Sequence, residues 1–300
     1  MGMHVLVTGA GGFSGSEVVL ALLARGHRVT AVVRSKRGRL PEGAERLGEL
    51  SVIVGDLSGD LALPERVDVI VHAAAGAPVH GISVSDLVRD NVLVTRRMAL
   101  YARRSGVRKF VYFSSVSIYG RVEMAVIDET TPVLDPDVYA QTKRMSEELV
   151  AAAENTFSSL AIRLPGVIGR RSVRNWLTGV LAAAREGREI AVFNPTTPFN
   201  NAVHVTDLSR FVCKLLDLEW TGSDAVTIGA AGQIAVGDAV RLVVDVFGGR
   251  SHIRHETTPK RGFLISSVRA CDRYGYDPME ITDMVRRFAA ENSHPSANRN

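Results

Sequence analysis

The chain has 300 residues, of which 46% are hydrophobic and 23% charged, and its formal net charge at pH 7 is +4. This length and apolar content are enough for one large α/β domain, or for such a domain with a smaller lobe. No apolar run reaches the roughly eighteen residues of a membrane span, and no secretory signal pattern opens the chain. We therefore expect a cytoplasmic protein without a membrane partner.

The cysteines and the basic residues indicate neither a metal site nor a nucleic-acid partner. Cys213 and Cys271 stand alone, without metal-ligand spacing, so we expect reduced packing residues and no metal. The basic residues form no stripe interleaved with aromatic residues, which argues against nucleic acid. A basic balance suits an anionic small-molecule substrate, such as a nucleoside diphosphate.

A strand, a glycine turn and a helix open the chain. The strand ends at Thr8 in the sequence MGMHVLVTGAGGFSG, and a helical apolar pattern then runs to Gly26. Small residues let the backbone approach a dinucleotide pyrophosphate, and the helix N-terminus supplies free N–H groups and a positive dipole. The alternative is a turn whose glycines serve only backbone geometry. The predicted cofactor contacts of this turn are Gly9, Gly12, Phe13, Ser14 and Gly15.

The second strand ends in a basic segment that bears on the choice of dinucleotide. A carboxylate at this position bonds the ribose 2′-hydroxyl of NAD, whereas an arginine accommodates the 2′-phosphate of NADP. Here Arg34 stands at the strand end, and Lys36, Arg37 and Arg39 follow it. A guanidinium can hold phosphate oxygens in a fork. The sequence therefore favours NADP slightly over NAD, the alternative being a basic surface loop over an NAD site.

A short third strand and a fully apolar fourth strand follow, and then a long helix from near Asp86 to Ser105. The fourth strand leaves the sheet through small residues, which let the backbone lie against a cofactor. The predicted cofactor contacts at this exit are Ala73, Ala74 and Ala75.

The fifth strand and the helix after it carry the groups with catalytic chemistry. The strand ends in FSSVSIYG, which contains Ser115, and the next helix opens with Tyr139 and has Lys143 four residues later. Residues four apart lie on one helix face, so the ammonium group is expected near the phenol. A nearby cation lowers the pKa of a tyrosine, which can then exchange a proton with a substrate hydroxyl or carbonyl. A serine at a neighbouring strand end can bond the same substrate oxygen.

These motifs together resemble the extended short-chain dehydrogenase/reductases, and among them the NAD(P)-dependent sugar-nucleotide epimerase/dehydratase family. The resemblance rests on TGxxGxxG, FSSxSxYG and YxxxK and covers most of the chain. It implies that Ser115, Tyr139 and Lys143 are the catalytic set, and that Tyr139 and Lys143 also contact the cofactor. The further cofactor contacts that it implies, beside the adenine and the nicotinamide, are Asp56, Leu57, Pro165 and Val167.

The resemblance also implies a substrate site, where the chain departs from the family pattern. Gly166 replaces an asparagine that many sugar-nucleotide enzymes use, and Asn200 replaces a phosphate-binding arginine. Val116 and Ser117 replace the Asp-Glu pair of the dehydratases, which disfavours dehydration. The implied substrate contacts are Ser115, Ser117, Tyr139, Gly166 and Asn201.

The alternation of strands and helices predicts an α/β fold with a doubly wound parallel sheet, the Rossmann arrangement, and a smaller discontinuous C-terminal substrate lobe. We assign 1–168 and 201–247 to the dinucleotide-binding domain, 169–200 and 248–291 to the lobe, and 292–300 to a flexible tail. The cofactor is expected across the carboxyl ends of the strands.

The sequence thus predicts an NAD(P)-dependent epimerase or keto-reductase that acts on a nucleotide-linked sugar by hydride transfer. The alternative is an NADPH-dependent reductase of a non-nucleotide ketone or aldehyde, of steroid or flavonoid type, which Arg34, Gly166 and Asn200 leave open. A cofactor-sensing protein without catalysis is disfavoured by the intact serine, tyrosine and lysine set. The resemblance implies a homodimer, built from the two long helices that follow strands four and five.

Overall fold

The structure is a computed structural model, and it describes residues 2–35, 40–170, 172–173, 175–259 and 261–293. The basic residues Lys36, Arg37 and Arg39 and the end of the predicted tail lie outside these ranges. Within them, both cysteines are free thiols, and no helix is both long enough and apolar enough to cross a membrane.

Strands occur along the whole described chain and are numbered in sequence order. They are β1 His4–Thr8, β2 Arg28–Val33, β3 Leu50–Val54, β4 Val69–His72, β5 Lys109–Ser115, β6 Val126–Ile127, β7 Ser158–Leu164, β8 Gly166–Ile168, β9 Ile190–Phe193, β10 Pro198–Phe199, β11 Ala202–His204, β12 Ser223–Thr227, β13 Ile234–Ala235, β14 Ile253–Glu256 and β15 Leu264–Ile265.

The α-helices alternate with the longer strands, and a π-helical segment, Val88–Leu93, joins the second helix to the third. The helices are α1 Phe13–Ala24, α2 Val84–Leu87, α3 Val94–Arg104, α4 Val138–Ala151, α5 Trp176–Glu186, α6 Val205–Asp217, α7 Val236–Val246, α8 Val268–Tyr274 and α9 Ile281–Glu291. The long helix predicted from near Asp86 to Ser105 is therefore continuous from α2 to α3, but its middle turn is wider than an α-helical turn.

The central sheet has seven strands in the order β12-β7-β5-β4-β1-β2-β3, and each neighbouring pair is parallel. The strand order reverses between β1 and β4. In a doubly wound sheet this reversal opens a crevice at the carboxyl ends of the strands, where ligands bind. The predicted fold class, a Rossmann-type parallel sheet, is confirmed.

Successive residues of β1 face two different cores, which explains why the strand is apolar throughout. Val5 and Val7 pack on one face of the sheet with residues of α1 and α6. Leu6 packs on the other face with Met98 of α3 and Phe110 of β5. A parallel sheet with helices on both faces needs such continuous apolar strands, because neither face is left to water.

A third core belongs to the lobe beyond the sheet, and it divides the chain differently from the predicted boundaries. Helix α7, assigned to the dinucleotide domain, packs through Val240 and Val243 with Met284 and Phe288 of α9 inside this third core. The segment after α8, assigned to the lobe, instead packs Tyr276 with the first core. The physical reason is that the apolar face of each helix packs into the nearest core. Neighbours in sequence can therefore belong to different cores.

Candidate active site

The glycine turn after β1 has the shape of a phosphate cradle. Gly9 has a φ of +65°, and a Cβ atom there would lie 2.6 Å from the Ala74 nitrogen. A Cβ on Gly15 would lie 2.3 Å from the Gly9 oxygen, so both positions exclude a side chain. Helix α1 begins directly after Gly12, with no side chain capping its first N–H groups. These groups are free for the pyrophosphate of a dinucleotide, so the turn fits that cofactor.

A cleft of about 310 Å³ runs from this turn across the ends of β2, β3 and β4. It brings together most of the cofactor contacts predicted from the sequence: Gly9, Gly12, Arg34, Asp56, Leu57, Ala73, Ala74 and Ala75. The cleft is also lined by Ser35, which follows Arg34 in the basic segment, and by residues that sequence reasoning missed: Gly11, Val32, Gly55, Asp90 and Val94.

The remaining predicted cofactor contacts lie outside the lining of this cleft. Phe13 and Ser14 open α1, and a Cβ on Gly169 would lie 3.2 Å from the Phe13 ring, so Phe13 reaches the segment after β8. Pro165 and Val167 flank Gly166 at the passage from β7 to β8. The contacts of these four residues with a cofactor stay predictions.

Arg34, predicted to bind a 2′-phosphate, is paired with carboxylates inside the cleft. Its Nη2 donates to Oδ2 of Asp90 at 2.9 Å, and its Nε lies 3.8 Å from Oδ2 of Asp56. Hydrogen bonds from Ser58 and the nearby Arg34 guanidinium keep the pKa of Asp56 below its usual value, so this carboxylate is charged at neutral pH. The guanidinium thus faces two carboxylates from other elements.

Ser115 and Ser117 meet at the carboxyl end of β5. Ser115 caps a short 3₁₀ turn: its Oγ accepts the Ser117 N–H at 3.1 Å and donates to the Ser117 Oγ at 3.0 Å. Both hydroxyls are thereby oriented at the edge where the cofactor is expected. Ser115 pairs in register with Leu164 of β7, two residues before Gly166, so the serines lie beside the passage to the lobe.

Tyr139 and Lys143 lie one turn apart on α4, as predicted; Lys143 is fully buried and Tyr139 is half-buried. The Lys143 Nζ donates to the Phe113 carbonyl at 2.5 Å and lies 4.3 Å from the centre of the Tyr112 ring. Burial lowers the pKa of Lys143 to about 7, against the opposing charge of Glu147. Burial raises the pKa of Tyr139, and the Ser115 hydroxyl opposes that rise. The sequence predicted that the lysine lowers the pKa of Tyr139. In this structure the effect of burial is larger, and the pKa is raised.

A second cavity, of about 790 Å³, opens in the lobe and contains two predicted substrate contacts, Gly166 and Asn201. The Oδ1 atom of Asn201 is buried without a hydrogen-bond partner, which is costly unless a ligand supplies a donor. Neighbouring Asn200 points elsewhere. Its side-chain amide donates to the Ile265 carbonyl and accepts the Ile265 N–H, so it holds β15 in place. Asn200 therefore stands at the sequence position of the expected phosphate-binding arginine but bonds the backbone instead.

Arg261 is the one cationic side chain among the described residues that line this cavity, and sequence reasoning missed it. Glu189 lies on the same lining. The remaining wall is mostly apolar, and includes Trp176, Val180, Val192, Phe199 and Phe263. The one sequence feature that could have indicated Arg261 is the basic Lys-Arg pair after Pro259. No periodic pattern surrounds this pair, so the sequence does not predict which element it belongs to.

Comparison with known proteins identifies the family. The profile of the NAD dependent epimerase/dehydratase family matches residues 5–229. The chain belongs to this family. The resemblance drawn from its motifs is confirmed, and so is its assignment to a family of enzymes.

The relatives include proteins named as UDP-sugar epimerases and proteins named as steroid dehydrogenases. UDP-glucose 4-epimerase of Bacillus subtilis (strain 168) is 28% identical over 285 residues, which are 82% of this chain and 83% of that protein. The 3 beta-hydroxysteroid dehydrogenase/Delta 5-->4-isomerase of Mycobacterium tuberculosis (strain CDC 1551 / Oshkosh) is 36% identical over 180 residues, or 55% of this chain. The chain spans about half the length of that second relative, 47%.

A solved structure has the same overall architecture. MoeE5 in complex with UDP-glucuronic acid and NAD superimposes with a TM-score of 0.80 and 25% identity, covering 97% of each chain. The match extends over the sheet and the lobe alike, so the two-part architecture described above is shared with that protein.

Asn91, in the π-helical segment, joins the cofactor cleft to the helix that carries Tyr139 and Lys143. Its Oδ1 accepts the Gly76 N–H at 2.7 Å, and its Nδ2 donates to the Thr142 Oγ1 at 2.9 Å. The Ser146 Oγ in turn donates to the Asn91 carbonyl at 3.0 Å. These contacts give Asn91 a structural role. A wide turn here lets one side chain bridge the loop after β4 and α4.

Asn91→Ala is expected to lower the free energy of unfolding by about 1–3 kcal/mol, because the buried Gly76 N–H loses its partner. Urea denaturation measures this. The control is Asn201→Ala, which removes an amide whose buried oxygen has no partner, so the free energy of unfolding should not fall. Equal losses in the two variants would contradict a bridging role for Asn91.

Proposed function

We propose that the protein is an NAD-dependent epimerase that acts on a sugar carried by a nucleoside diphosphate. One observation carries the proposal: Ser115 ends β5 at the carboxyl edge of the sheet, and Lys143, one turn from Tyr139 on α4, donates to the Phe113 carbonyl of that same strand. The protein also has a dinucleotide cleft at the ends of β2, β3 and β4, and a separate cavity in the lobe. That cavity offers a guanidinium, Arg261, for a diphosphate, and an unpartnered amide oxygen, Asn201, for a neutral donor.

The reaction we propose uses the residues of this edge in distinct roles. The glycine turn and the N-terminus of α1 hold the dinucleotide, and Lys143 binds its nicotinamide ribose. When bound, the cofactor supplies a hydride acceptor and donor at its nicotinamide. Tyr139, ionised beside the Lys143 ammonium, would take the proton from the sugar hydroxyl as its carbon is oxidised, and would return that proton when the opposite face of the keto sugar is reduced. Ser115 donates a hydrogen bond to that oxygen in both steps.

Epimerisation is favoured over the other reactions of the family. Dehydration needs extra acid and base groups after the catalytic serine, where this chain has Val116 and Ser117. Ser117 is exposed and bonded to Ser115, so it suits a substrate contact better than a general acid. Two relatives that cover 82% and 86% of this chain are each named as a UDP-glucose 4-epimerase. A keto-sugar reductase would use the same residues but consume NADPH.

The test is to incubate the purified protein with UDP-glucose or UDP-glucuronic acid and follow the sugar signals by proton NMR. Conversion of one UDP-sugar into its 4-epimer, without added dinucleotide, supports the proposal, because an epimerase regenerates its cofactor in each cycle. Oxidation that stops after one equivalent of keto sugar, and resumes only with added NAD(P)⁺, indicates an enzyme that works as a reductase in the opposite direction and does not return the hydride. No conversion of any nucleotide sugar, together with turnover of another ketone, overturns the nucleotide-sugar assignment.

A second candidate is the oxidation or reduction of a steroid-type substrate. The mostly apolar wall of the lobe cavity favours it, as does the steroid dehydrogenase relative. Free UDP separates the two candidates. UDP should inhibit an enzyme whose cavity takes a nucleoside diphosphate, and it should leave turnover of a 3β-hydroxysteroid unchanged if the cavity takes the steroid alone.

NAD is the cofactor that we propose, although the sequence favoured NADP slightly. The MoeE5 structure contains NAD, and the pairing of Arg34 with two carboxylates supports NAD here. The preference for NADP stays a prediction that mass spectrometry can test. We expect NAD(H) in the nucleotide released on denaturing freshly purified protein, and NADP(H) would favour the reductase instead. A cytoplasmic location also stays a prediction.

We propose a homodimer formed by α3 and α4, which pack together on one face of the sheet. Leu93 and Leu100, and likewise Val138 and Met145, are exposed large apolar residues seven positions apart on adjoining helices. Seven-residue spacing puts each pair on one helix face, which produces an apolar stripe that a second copy can cover.

Leu100→Glu is expected to convert the dimer into a monomer in size-exclusion chromatography with light scattering, because a carboxylate would be buried in the apolar interface. Val268→Glu is the control. It adds the same charge at an apolar residue of α8 that is 63% exposed, and the dimer should persist. A dimer that survives both substitutions would contradict this interface.

A further inference from the structure

We propose that Asp90 sets the preference for NAD over NADP, by occupying Arg34 and by adding negative charge where a 2′-phosphate would lie. This inference rests on the proposed function only in taking the cleft as the dinucleotide site. Asp90 is a positioning residue here: it acts on the cofactor through Arg34. It comes from the π-helical segment after β4, not from the end of β2, where an acidic residue that selects NAD is expected.

The Asp90 carboxylate is buried and divided between two guanidinium groups. Only 3% of its side chain is exposed. Oδ2 accepts the Arg34 Nη2 at 2.9 Å, and Oδ1 accepts the Arg89 Nε at 2.8 Å. Arg89 also contacts Asp86 at 2.8 Å, which ties the pair to the start of α2. Both carboxylate oxygens therefore have partners, and the group has little freedom to turn away from Arg34.

The surrounding backbone holds Asp90 in the cleft. A Cβ on Gly76 would lie 3.1 Å from the Asp90 Cβ, so the loop after β4 closes directly over this side chain. The next residue, Asn91, bonds Gly76 at both N and O. Asp90 thus stands on a segment that is hydrogen-bonded to the cofactor cleft, whereas the Arg34 side chain is 62% exposed and takes its orientation from its partners.

The charges at this corner oppose a phosphate. Among the described residues that line the cleft, the Arg34 guanidinium faces two carboxylates, Asp90 and Asp56. Arg34 and Arg89 together carry two positive charges against the three carboxylates of Asp56, Asp86 and Asp90. A phosphate monoester carries about −1.5 to −2 charges at pH 7 and would be repelled by this net negative charge. It would also find part of the guanidinium fork already engaged. A 2′-hydroxyl is neutral and can donate a hydrogen bond to either carboxylate. The corner therefore suits NAD.

The test measures the affinities of the full-length protein for NAD⁺ and NADP⁺ by isothermal titration calorimetry, after dialysis against nucleotide-free buffer. The wild type is expected to bind NAD⁺ more tightly. Asp90→Asn should raise the affinity for NADP⁺ about tenfold, equivalent to about 1.4 kcal/mol, because the Arg34 guanidinium is freed for the 2′-phosphate; the affinity for NAD⁺ should change by less than about threefold. The double variant Arg34→Gln/Asp90→Asn should lose the gain, because the freed guanidinium provides it.

Two further variants keep the test decisive. Arg34→Gln, at an exposed side chain, should leave the affinity for NADP⁺ within about twofold of wild type if Asp90 occupies the guanidinium; a loss of tenfold or more would make Arg34 a 2′-phosphate ligand and overturn the inference. Asp60→Asn removes an exposed carboxylate that pairs with Arg97 outside the cleft, and should leave both affinities unchanged.

The failure of this inference can be distinguished from the failure of the proposed function. An unmoved ratio of NADP⁺ to NAD⁺ affinity in Asp90→Asn overturns the role of Asp90, even if the wild type epimerises a UDP-sugar. Tighter binding of NADP⁺ than NAD⁺ by the wild type does so as well. A wild-type protein that binds neither dinucleotide overturns the proposed function, and this inference with it.

Discussion

Replacing Tyr139 with phenylalanine should lower turnover of the sugar substrate by about 10²–10⁴-fold, while the affinity for the dinucleotide stays within about threefold of the wild type. The phenol oxygen is the only atom removed, and in the proposed reaction it receives and returns the substrate proton. The ring itself stays in the first turn of α4, so the fold should persist. Turnover is measured by NMR on the UDP-sugar, and binding by calorimetry.

Tyr119→Phe is the matched control for that substitution. Tyr119 is also buried, and its hydroxyl accepts a hydrogen bond from the Arg163 Nη1 at 2.9 Å, away from the proposed reaction. Its loss should lower stability by about 1 kcal/mol and leave turnover near that of the wild type. Turnover at the wild-type rate in Tyr139→Phe would contradict the proposed role of Tyr139 in proton transfer. A large loss in both variants would indicate that the effect is structural.

The glycine turn and the Tyr139–Lys143 pair could be predicted from the sequence because their geometry is local. A glycine at positive φ before a helix, and two residues one turn apart, are determined by a few neighbouring residues. The strands of the sheet could be predicted for the same kind of reason, since continuous apolar runs of this length indicate buried parallel strands. In these places local preference and the global fold agree.

The surroundings of Arg34 could not be predicted in this way. Its partner Asp90 lies 56 positions away, and they meet only because β2 and the segment after β4 end at the same edge of the sheet. The sequence could show the positive charge at the end of β2, but it could not show the carboxylates that balance it. A similar limit applies to the pKa of Tyr139. The YxxxK spacing predicts the nearby cation, but it does not predict the burial that raises this pKa.

The residues of the lobe cavity were the hardest to predict from the sequence. Arg261, Asn201 and Gly166 come from three separate segments, which are brought together by short strand pairs such as β9 with β14 and β8 with β11. Strands this short have no reliable periodicity, so the sequence gives no basis for pairing them. Asn200 stands at the position of an expected phosphate ligand, and yet it bonds the backbone of β15. Residue identity at a motif position did not determine what its side chain contacts.

Replacing Lys143 with methionine should abolish turnover and yet stabilise the cofactor-free protein below neutral pH. The ammonium group is buried, and burial lowers the pKa of Lys143 from 10.5 to about 7. Below pH 7 the lysine is protonated in both the folded and the unfolded chain, and the folded chain bears the full penalty of a buried charge. Methionine has a similar length and no charge, so it avoids this penalty.

The sign of the pH dependence follows from proton linkage. Between pH 7 and 10.5 the unfolded chain keeps the Lys143 proton and the folded chain loses it, so the stability of the wild type rises with pH. Relative to Lys143→Met, the wild type should gain on the order of 3–4 kcal/mol between pH 6.5 and 10, since each pKa unit corresponds to about 1.4 kcal/mol. Urea denaturation of both proteins at the two pH values measures this difference.

Lys109→Met is the control that separates a lysine buried for chemistry from one buried for structure. Lys109 is equally buried, but its Nζ donates to the Leu216 and Leu218 carbonyls at 2.6 and 2.7 Å, at the C-terminal end of α6. Methionine there leaves carbonyls without a partner, so stability should fall at both pH values. Lys143, in contrast, contacts one carbonyl, that of Phe113, and the Tyr112 ring. Its buried ammonium group is therefore poorly stabilised, but it lies beside Tyr139, where the proposed reaction uses it. If Lys143→Met were less stable than the wild type at pH 6.5, the lysine would be a structural residue and its place beside Tyr139 would need another explanation.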